Sequence, residues 1–379
     1  LAAVLKLELR PVFFNLSRVG QGFMTLCLNM IVRDEAHIIE KTLRNVCDAF
    51  PIDRWVISDT GSVDGTQDII RRTFSELNIP GVLHQHDWQN FAHNRNLALK
   101  ECLGASDYIL FFDADDAVEG VPVLPALTCD AYHVKIESED RSSQYVRPLL
   151  VKNVPDLKWR GVVHEFIVIP GRDIGRIEGE YAVRSNRNGA RSMDPEKYKK
   201  DALLLENALR SDADKDLQAR YAFYCANSWR DYGDKDRALK WYLARTKLAG
   251  WREETYMAFL GAALQLEQRD RSDLALNFLL RGYDIVNDRA ECLYHLSRIL
   301  RHRGNFHAAL IFAKAAASTP LPTGNRLFLR KNIYEYWVSY EVLFLTARIG
   351  EDPRLLSQYE PFMASAAPET TKDSIRALL

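Results

Sequence analysis

The chain changes its hydrophobic period partway along, and that change limits the folds open to it. From Met24 to about Cys129 short apolar runs alternate with segments of helical spacing, whereas from Pro195 onward only the helical spacing remains. Leu26–Val32, Trp55–Ser58, Val82–His84 and Tyr108–Phe112 read as strands, with helices expected over 35–50, 68–77 and 95–102. The first run is almost continuously apolar, as suits a strand buried on both faces. This alternation predicts a parallel sheet with helices on both faces and a ligand site beyond the carboxyl ends of its strands. Over 131–136, 144–152 and 162–169 the runs shorten and are broken by Pro155, Pro170 and glycines, which predicts antiparallel strands closing the same domain. A chain of 379 residues has room for two domains. The expected bounds are 24–190 and 195–379, with residues 1–23 set apart as an uncertain leader, since Lys6, Glu8 and Arg10 interrupt its apolar stretch.

In the second part Ala238, Ala275 and Ala309 recur about every 34–37 residues, close to the tetratricopeptide period of about 34. Tyr221, Gly233 and Ala238 align with Tyr294, Gly304 and Ala309. Small residues at these positions let paired helices approach, while Phe223, Tyr242 and Phe306 fill the gaps between them. The middle repeat is degenerate, so an irregular helical bundle stands as the alternative.

Chemistry concentrates where strands end. Phe111-Phe112-Asp113-Ala114-Asp115-Asp116 carries an apolar strand into an Asp-x-Asp. Alternate residues of an extended chain point the same way, so Asp113 and Asp115 can aim at one point. Paired hard oxygen ligands suit Mg²⁺ or Mn²⁺ bridging to a diphosphate; a solvated acidic turn is the competing reading. Asp59 stands at the tip of the second strand, ahead of Gly61, Asp64, Gly65 and Thr66. Asp59 is read as a ligand contact able to accept a hydrogen bond from a base N–H, and Asp64 as a helix cap.

Taken in order, LCLNMIVRDEAHI, VISDTGSVDGT, FAHNRNLAL and YILFFDADD resemble family-2-like glycosyltransferases of the GT-A fold, above all bacterial members in which tetratricopeptide-like repeats follow the catalytic domain. The resemblance implies an α/β GT-A domain joined to an all-α repeat domain. It implies hexosyl transfer from a nucleotide-sugar donor, a UDP-sugar, with Mn²⁺ or Mg²⁺ as cofactor. The acceptor would be a glycan, a lipid-linked glycan or a protein. Within this sequence Val32 would line the base pocket with Glu35 nearby, Asp59 would read the base, and Arg95 would approach the nucleotide. Asp113 and Asp115 would serve the diphosphate and its metal.

Two later clusters extend the resemblance. In Trp159-Arg160-Gly161-Val162-Val163-His164-Glu165, His164 is a candidate metal ligand and Glu165 a candidate catalytic base, with Asp116 as the second candidate base. Neighbouring residues of a flat strand face opposite sides, so both can point inward only if the strand is bulged. Arg184, Arg187 and Arg191 suit a diphosphate leaving group, Arg191 within a Gly-x-Arg-Ser stretch like the family's; a solvated basic hinge is the alternative. Two departures bear on nucleotide contact: Arg33-Asp34-Glu35 stands where relatives carry Asn before Glu, and His93 precedes Asn94-Arg95-Asn96.

Composition narrows the partners. Fifty Lys plus Arg against 51 Asp plus Glu leave no basic excess for general nucleic-acid binding. The six cysteines form no CxxC pair, so they read as small hydrophobes in a reducing cytosol, where the protein is expected, soluble or peripheral to the membrane. No apolar run reaches the ~18–20 residues of a membrane span. The repeats are expected to offer a surface to a protein partner or the acceptor, or to brace the catalytic domain. A nucleotidyltransferase is disfavoured because Asn29–Glu35 contains no glycine for a phosphate loop; a repeat scaffold with a decayed catalytic domain is the non-enzymatic alternative.

Overall fold

The structure, a computed structural model, describes residues 24–138, 144–186, 188–211, 214–323 and 326–379; the leader 1–23 and Arg187 lie outside the described residues. The strands are β1 Leu26–Val32, β2 Arg54–Asp59, β3 Gly81–Gln85, β4 Tyr108–Phe111, β5 Asp116–Gly120, β6 Ala131–Ser138, β7 Gln144–Lys152, β8 Lys158–Arg160, β9 Phe166–Val168, β10 Ile174–Arg176 and β11 Tyr181–Ser185. The first three helices are α1 Ile39–Ala49, α2 Thr66–Leu77 and α3 Phe91–Cys102. The main sheet runs β3-β2-β1-β4-β7-β6-β11-β5, with β10 beside β6. Pairing is parallel from β3 through β4, as expected for the βα alternation. Beyond β4 the sheet is mixed: β7 is antiparallel to β4 and β6, but β11 and β10 run parallel to β6. The purely antiparallel closure expected from the sequence is corrected on this point.

The order places a topological switch between β1 and β4, because the chain moves outward through β2 and β3 and then returns to the other side of β1. At such a switch adjacent loops part and leave a crevice at the carboxyl ends. The segments that follow β1 and β4, 33–38 and 112–115, therefore flank one opening. The strands beneath it are sealed: Leu28, Met30, Ile57, Ile109, Leu110 and Phe111 are buried.

Three boundaries differ from the sequence reading for local reasons. Helix α1 begins at Ile39, because the Glu35 carbonyl first closes a turn, accepting from the Ile38 and Ile39 amides. Helix α3 begins at Phe91, because Asn90 caps it by accepting from the His93 amide at 2.9 Å. The strand expected over 162–169 shrinks to β9. Gly161 at φ +101° and His164 at φ +52° turn the chain between β8 and β9 instead.

The helical part starts with α4 Lys197–Arg210 and continues as pairs: α5 Gln218–Tyr232 with α6 Lys235–Arg245, α7 Arg252–Glu267 with α8 Ser272–Ile285, and α9 Glu291–His302 with α10 Phe306–Ala317. Each pair turns at a residue of positive φ: Gly233, Asp270 and Gly304. The fully buried Ala238, Ala275 and Ala309 each follow that turn residue by five positions. The middle repeat thus keeps the turn but sets an aspartate in the left-handed position. Counting back from Gly233 and Gly304 pairs Tyr221 with Cys292 and Phe223 with Tyr294, so the expected Tyr221–Tyr294 alignment is shifted by two residues. After α10 come α11 Val338–Arg348, α12 Tyr359–Ala364 and α13 Glu369–Arg376. Among the described residues no helix is long and apolar enough to cross a membrane.

The turn residues give a paired prediction. A Cβ at Gly233 meets no atom within 4 Å, so Gly233→Ala isolates the backbone cost of its φ of +97°. That substitution should destabilise by about 1–2 kcal/mol, whereas Asp270→Gly should stabilise by somewhat under about 1 kcal/mol. Urea midpoints moving in opposite directions are the expected result; a shift of the same sign in both would refute the account.

Candidate active site

The floor of the crevice is set by two interlocked loops. After β1, Asp34 adopts φ +55°; its amide donates to Ser62 Oγ at 2.9 Å and its carboxylate accepts from the Val63 amide at 2.8 Å. Asp64 accepts from the Ala36 and Thr66 amides, and the Glu35 amide donates to Thr66 Oγ1 at 2.8 Å. Asp64 thus pins the two loops together, whereas the N-cap of α2 is Gly65 and not Asp64 as expected. Val32, at the tip of β1, is buried and its carbonyl accepts from the Thr60 amide and hydroxyl.

Asp59 is 1% exposed at the tip of β2. Its Oδ1 accepts from the Gly61 and Ser62 amides and from Gln67 Nε2, each at 3.0 Å. Its Oδ2 is buried with no hydrogen-bond partner. A buried carboxylate oxygen left unpaired is costly, which singles this one out among the acids of the site.

Arg95 organises the opposite wall. It projects from α3, is itself buried, and lies over the Trp159 ring at 4.8 Å. Its NH2 donates to Asp113 Oδ1 at 2.6 Å and its Nε to Glu165 Oε1 at 2.7 Å. Arg147 of β7 stands 4.0 Å from the other Asp113 oxygen. Burial alone would raise the Asp113 carboxyl, but Arg95 and Arg147 reverse this and hold it below the usual range. No pattern in the sequence marks Arg147, which sits in an ordinary strand.

The remaining acids are not so compensated. Burial, then the charge of Asp113, raises the Asp115 carboxyl. Asp116 is buried at the start of β5 and bonded to Ser185, and burial followed by Asp113 and Asp115 lifts it well above the carboxylate range. Glu35 is pushed up to about 7, chiefly by burial and also by Asp115, against a hydrogen bond from the Ala190 amide. The segment after β11 closes over this group. A Cβ on Gly189 would come within 3.1 Å of Glu35 Oε1 and 3.2 Å of Asp115 Cβ, so any larger residue would press on both acids. His37 Nε2 lies 2.9 Å from the Asn188 carbonyl on the same flank.

Other expected residues lie elsewhere or are engaged. His164 is exposed, and its ring stacks on Tyr224 of α5 at 4.1 Å. Crowding in the cleft, and then Arg220, Arg191 and Lys197 against the opposing pull of Glu165, lowers its imidazole to about 4. Among the described residues no three His, Cys, Asp or Glu side chains form a metal cage, so His164 is not gathered with Asp113 and Asp115 into a ligand set. Arg191 pairs with Asp201 of α4 and lies over the Phe91 ring at 4.4 Å. Arg184 is held by Glu119 at 2.7 Å and by Glu137, at the β5–β11 edge, and is not in the arginine cluster expected from the sequence.

The carboxylates suit a hard cation on two grounds. Their oxygens are the right donors, and the raised Asp115 and Asp116 mark negative charge that the local arginines leave uncompensated.

The raised acids make stability depend on pH. A carboxyl lifted in the folded state favours folding while protonated, so its contribution fades as pH rises from about 4.5 towards 7. For Glu35 the whole effect is at most about 3 kcal/mol. In urea unfolding from pH 4.5 to 8, Glu35→Gln should gain on the parent across that window and level off above it. A difference curve that is flat would contradict the burial argument.

Residues 27–124 match the family model described as Glycosyl transferase family 2. A TPR repeat-containing protein of Synechococcus elongatus is 31% identical over 163 residues, covering 39% of this chain but only 37% of the relative's length. Among solved structures, S. aureus TarS in complex with UDP-GlcNAc is similar at 13% identity, covering 69% of this chain and 91% of that chain, with a TM-score of 0.39. MamA is similar at 11% identity, covering 48% of this chain and 90% of that chain, with a TM-score of 0.35. Over residues 27–124, then, the chain carries a glycosyl transferase family 2 domain, and a segment of paired helices follows it.

Proposed function

We propose that this chain transfers a sugar from a nucleotide-diphosphate donor to an acceptor hydroxyl, with inversion at the anomeric carbon. The observation that supports the reading is the group of acids that follow β1 and β4, Glu35, Asp113, Asp115 and Asp116, together with the unpaired Asp59 oxygen at the tip of β2. Asp59 Oδ2 accepts the ring N–H of the base, which fits uracil and so a UDP-sugar, while Val32 and Glu35 border the same pocket. A divalent cation held by Asp115, with Asp113 beside it, supplies charge neutralisation at the diphosphate. Arg95 fixes Asp113 on that side, and Arg191, over the Phe91 ring, is the arginine that would meet the leaving group once Asp201 releases it.

Inversion requires a base for the acceptor hydroxyl. Glu165 takes that role in preference to Asp116, which is buried and turned to Ser185. Glu165 is held by one oxygen on Arg95, leaving the other for an acceptor proton.

The test uses the full chain with a panel of nucleotide-sugars in Mn²⁺, Mg²⁺ or EDTA, reading released nucleotide and, separately, nucleotide binding. Release or binding should need metal, and Asp115→Ala should lower release by at least about a hundredfold while its melting temperature stays near the parent's. Absence of both binding and release with every donor, unchanged in Asp115→Ala, would replace the transferase with a repeat-based scaffold.

A further inference from the structure

The loop that bears His164 and Glu165 belongs to the catalytic half in sequence but to the helical half in packing. Val163 is 4% exposed and buried in the core built from Ala202, Leu205, Tyr221 and Trp229 of α4 and α5. Before the loop, Arg160 grips Asp216 at 2.7 and 2.8 Å and Asp214 at 3.3 Å, and Tyr221 donates to Asp214 at 2.8 Å. At its far side Arg220 of α5 donates to the His164 carbonyl at 2.8 Å and to Glu254 of α7 at 3.1 Å. The Arg220 guanidinium lies over both Phe166 and Tyr224. Glu254 is itself 3% exposed and faces Arg245 of α6, which is fully buried.

An unbroken series of contacts therefore runs from α6 and α7 through Arg220 to the His164 backbone, then to Glu165, Arg95 and Asp113. The turn at 161–165 departs from strand geometry, with positive φ at both Gly161 and His164. Such a conformation persists only where surroundings over-determine it. Here those surroundings are helices outside the family-matched residues.

Resting on the transferase reading, we infer that Arg220 is a positioning residue that aims Glu165 through the His164 carbonyl, so that the first repeat helices form part of the catalytic apparatus. Truncating Arg220 frees one end of the turn while Asp59, Asp113 and Asp115 keep their places. Arg220→Ala should lower kcat for metal-dependent nucleotide release about tenfold or more, with the donor KM within about twofold, and Arg220→Lys should restore part of the loss. A double-mutant cycle separates positioning from general support: in a Glu165→Gln background, Arg220→Ala should cost less than about twofold further. Hydrogen exchange gives a reading independent of turnover, with peptides across 161–168 losing protection in Arg220→Ala and those of β1 and β2 unchanged. Additive losses, an unaltered kcat or undiminished protection of the turn would each overturn the inference. If the parent releases no nucleotide from any donor, the transferase reading fails, and the exchange data alone decide whether α5 holds the loop.

Discussion

Arg95 is the interaction on which both walls of the crevice depend. One guanidinium, itself buried, joins a carboxylate from the β4 tip to a carboxylate from the β8–β9 turn. Neither partner is near Arg95 in sequence, and each approaches because a different element has been brought there. Asn90 fixes the start of α3, Asn96 donates to the Trp159 carbonyl and accepts from its amide, and Trp159 places its ring beneath the guanidinium. Remove the cation, and Asp113, half-buried, would keep only Arg147 near it, while Glu165 would lose its charged partner. A buried ion pair is poor evidence of net stability, but it is strong evidence of geometry, because its desolvation is tolerable only when the fork meets its partners well.

The same electrostatics divide the acids by task. Asp113 is compensated and ionised, whereas Glu35, Asp115 and Asp116 share an environment with too little positive charge. That imbalance sits at the one place in the sheet where topology opens a crevice. A chain selected for stability alone would relieve it with a lysine or by replacing an acid. Keeping it is reasonable if charge arrives with the ligand. Gly189 and Ala190 bring backbone amides against Asp115 and Glu35.

Legibility in the sequence followed how local each determinant was. β1, β2 and β4 are dense apolar runs ending in distinctive polar residues, and the positions of Asp59, Asp113 and Asp115 at or just past strand ends follow from them. The start of α3 was also available in principle, since Asn90 three residues before an amide it caps is a recognisable signal. The 161–165 turn was not. Its residues alternate as a strand would, and the burial of Val163 among Ala202, Leu205, Tyr221 and Trp229 helps bend them away. Arg184 and Arg191 looked alike in sequence, yet one meets Glu119 across a sheet edge and the other Asp201 on a helix. Long-range ion pairing leaves no mark on local pattern.

The repeats are braced from within as well as against the sheet. Arg289 is fully buried, donating to Glu253, Glu291 and the Leu327 carbonyl. Arg326 joins Glu253, Tyr334 donates to Glu291, and Phe328 stacks on Phe223. The stretch from 326 to 334 therefore lies across α5, α7 and α9, the first helix of each pair. A partner reading that face would have to displace a segment anchored by buried charge, and leaving Arg289 without its acceptors in a dry interior would be costly. Occupied in this way, the inner helices are better suited to holding a fixed shape than to exchanging ligands. A fixed shape is what the 161–165 turn requires of them, because a loop kept in strained conformation can be aimed no more steadily than the surface it is docked on.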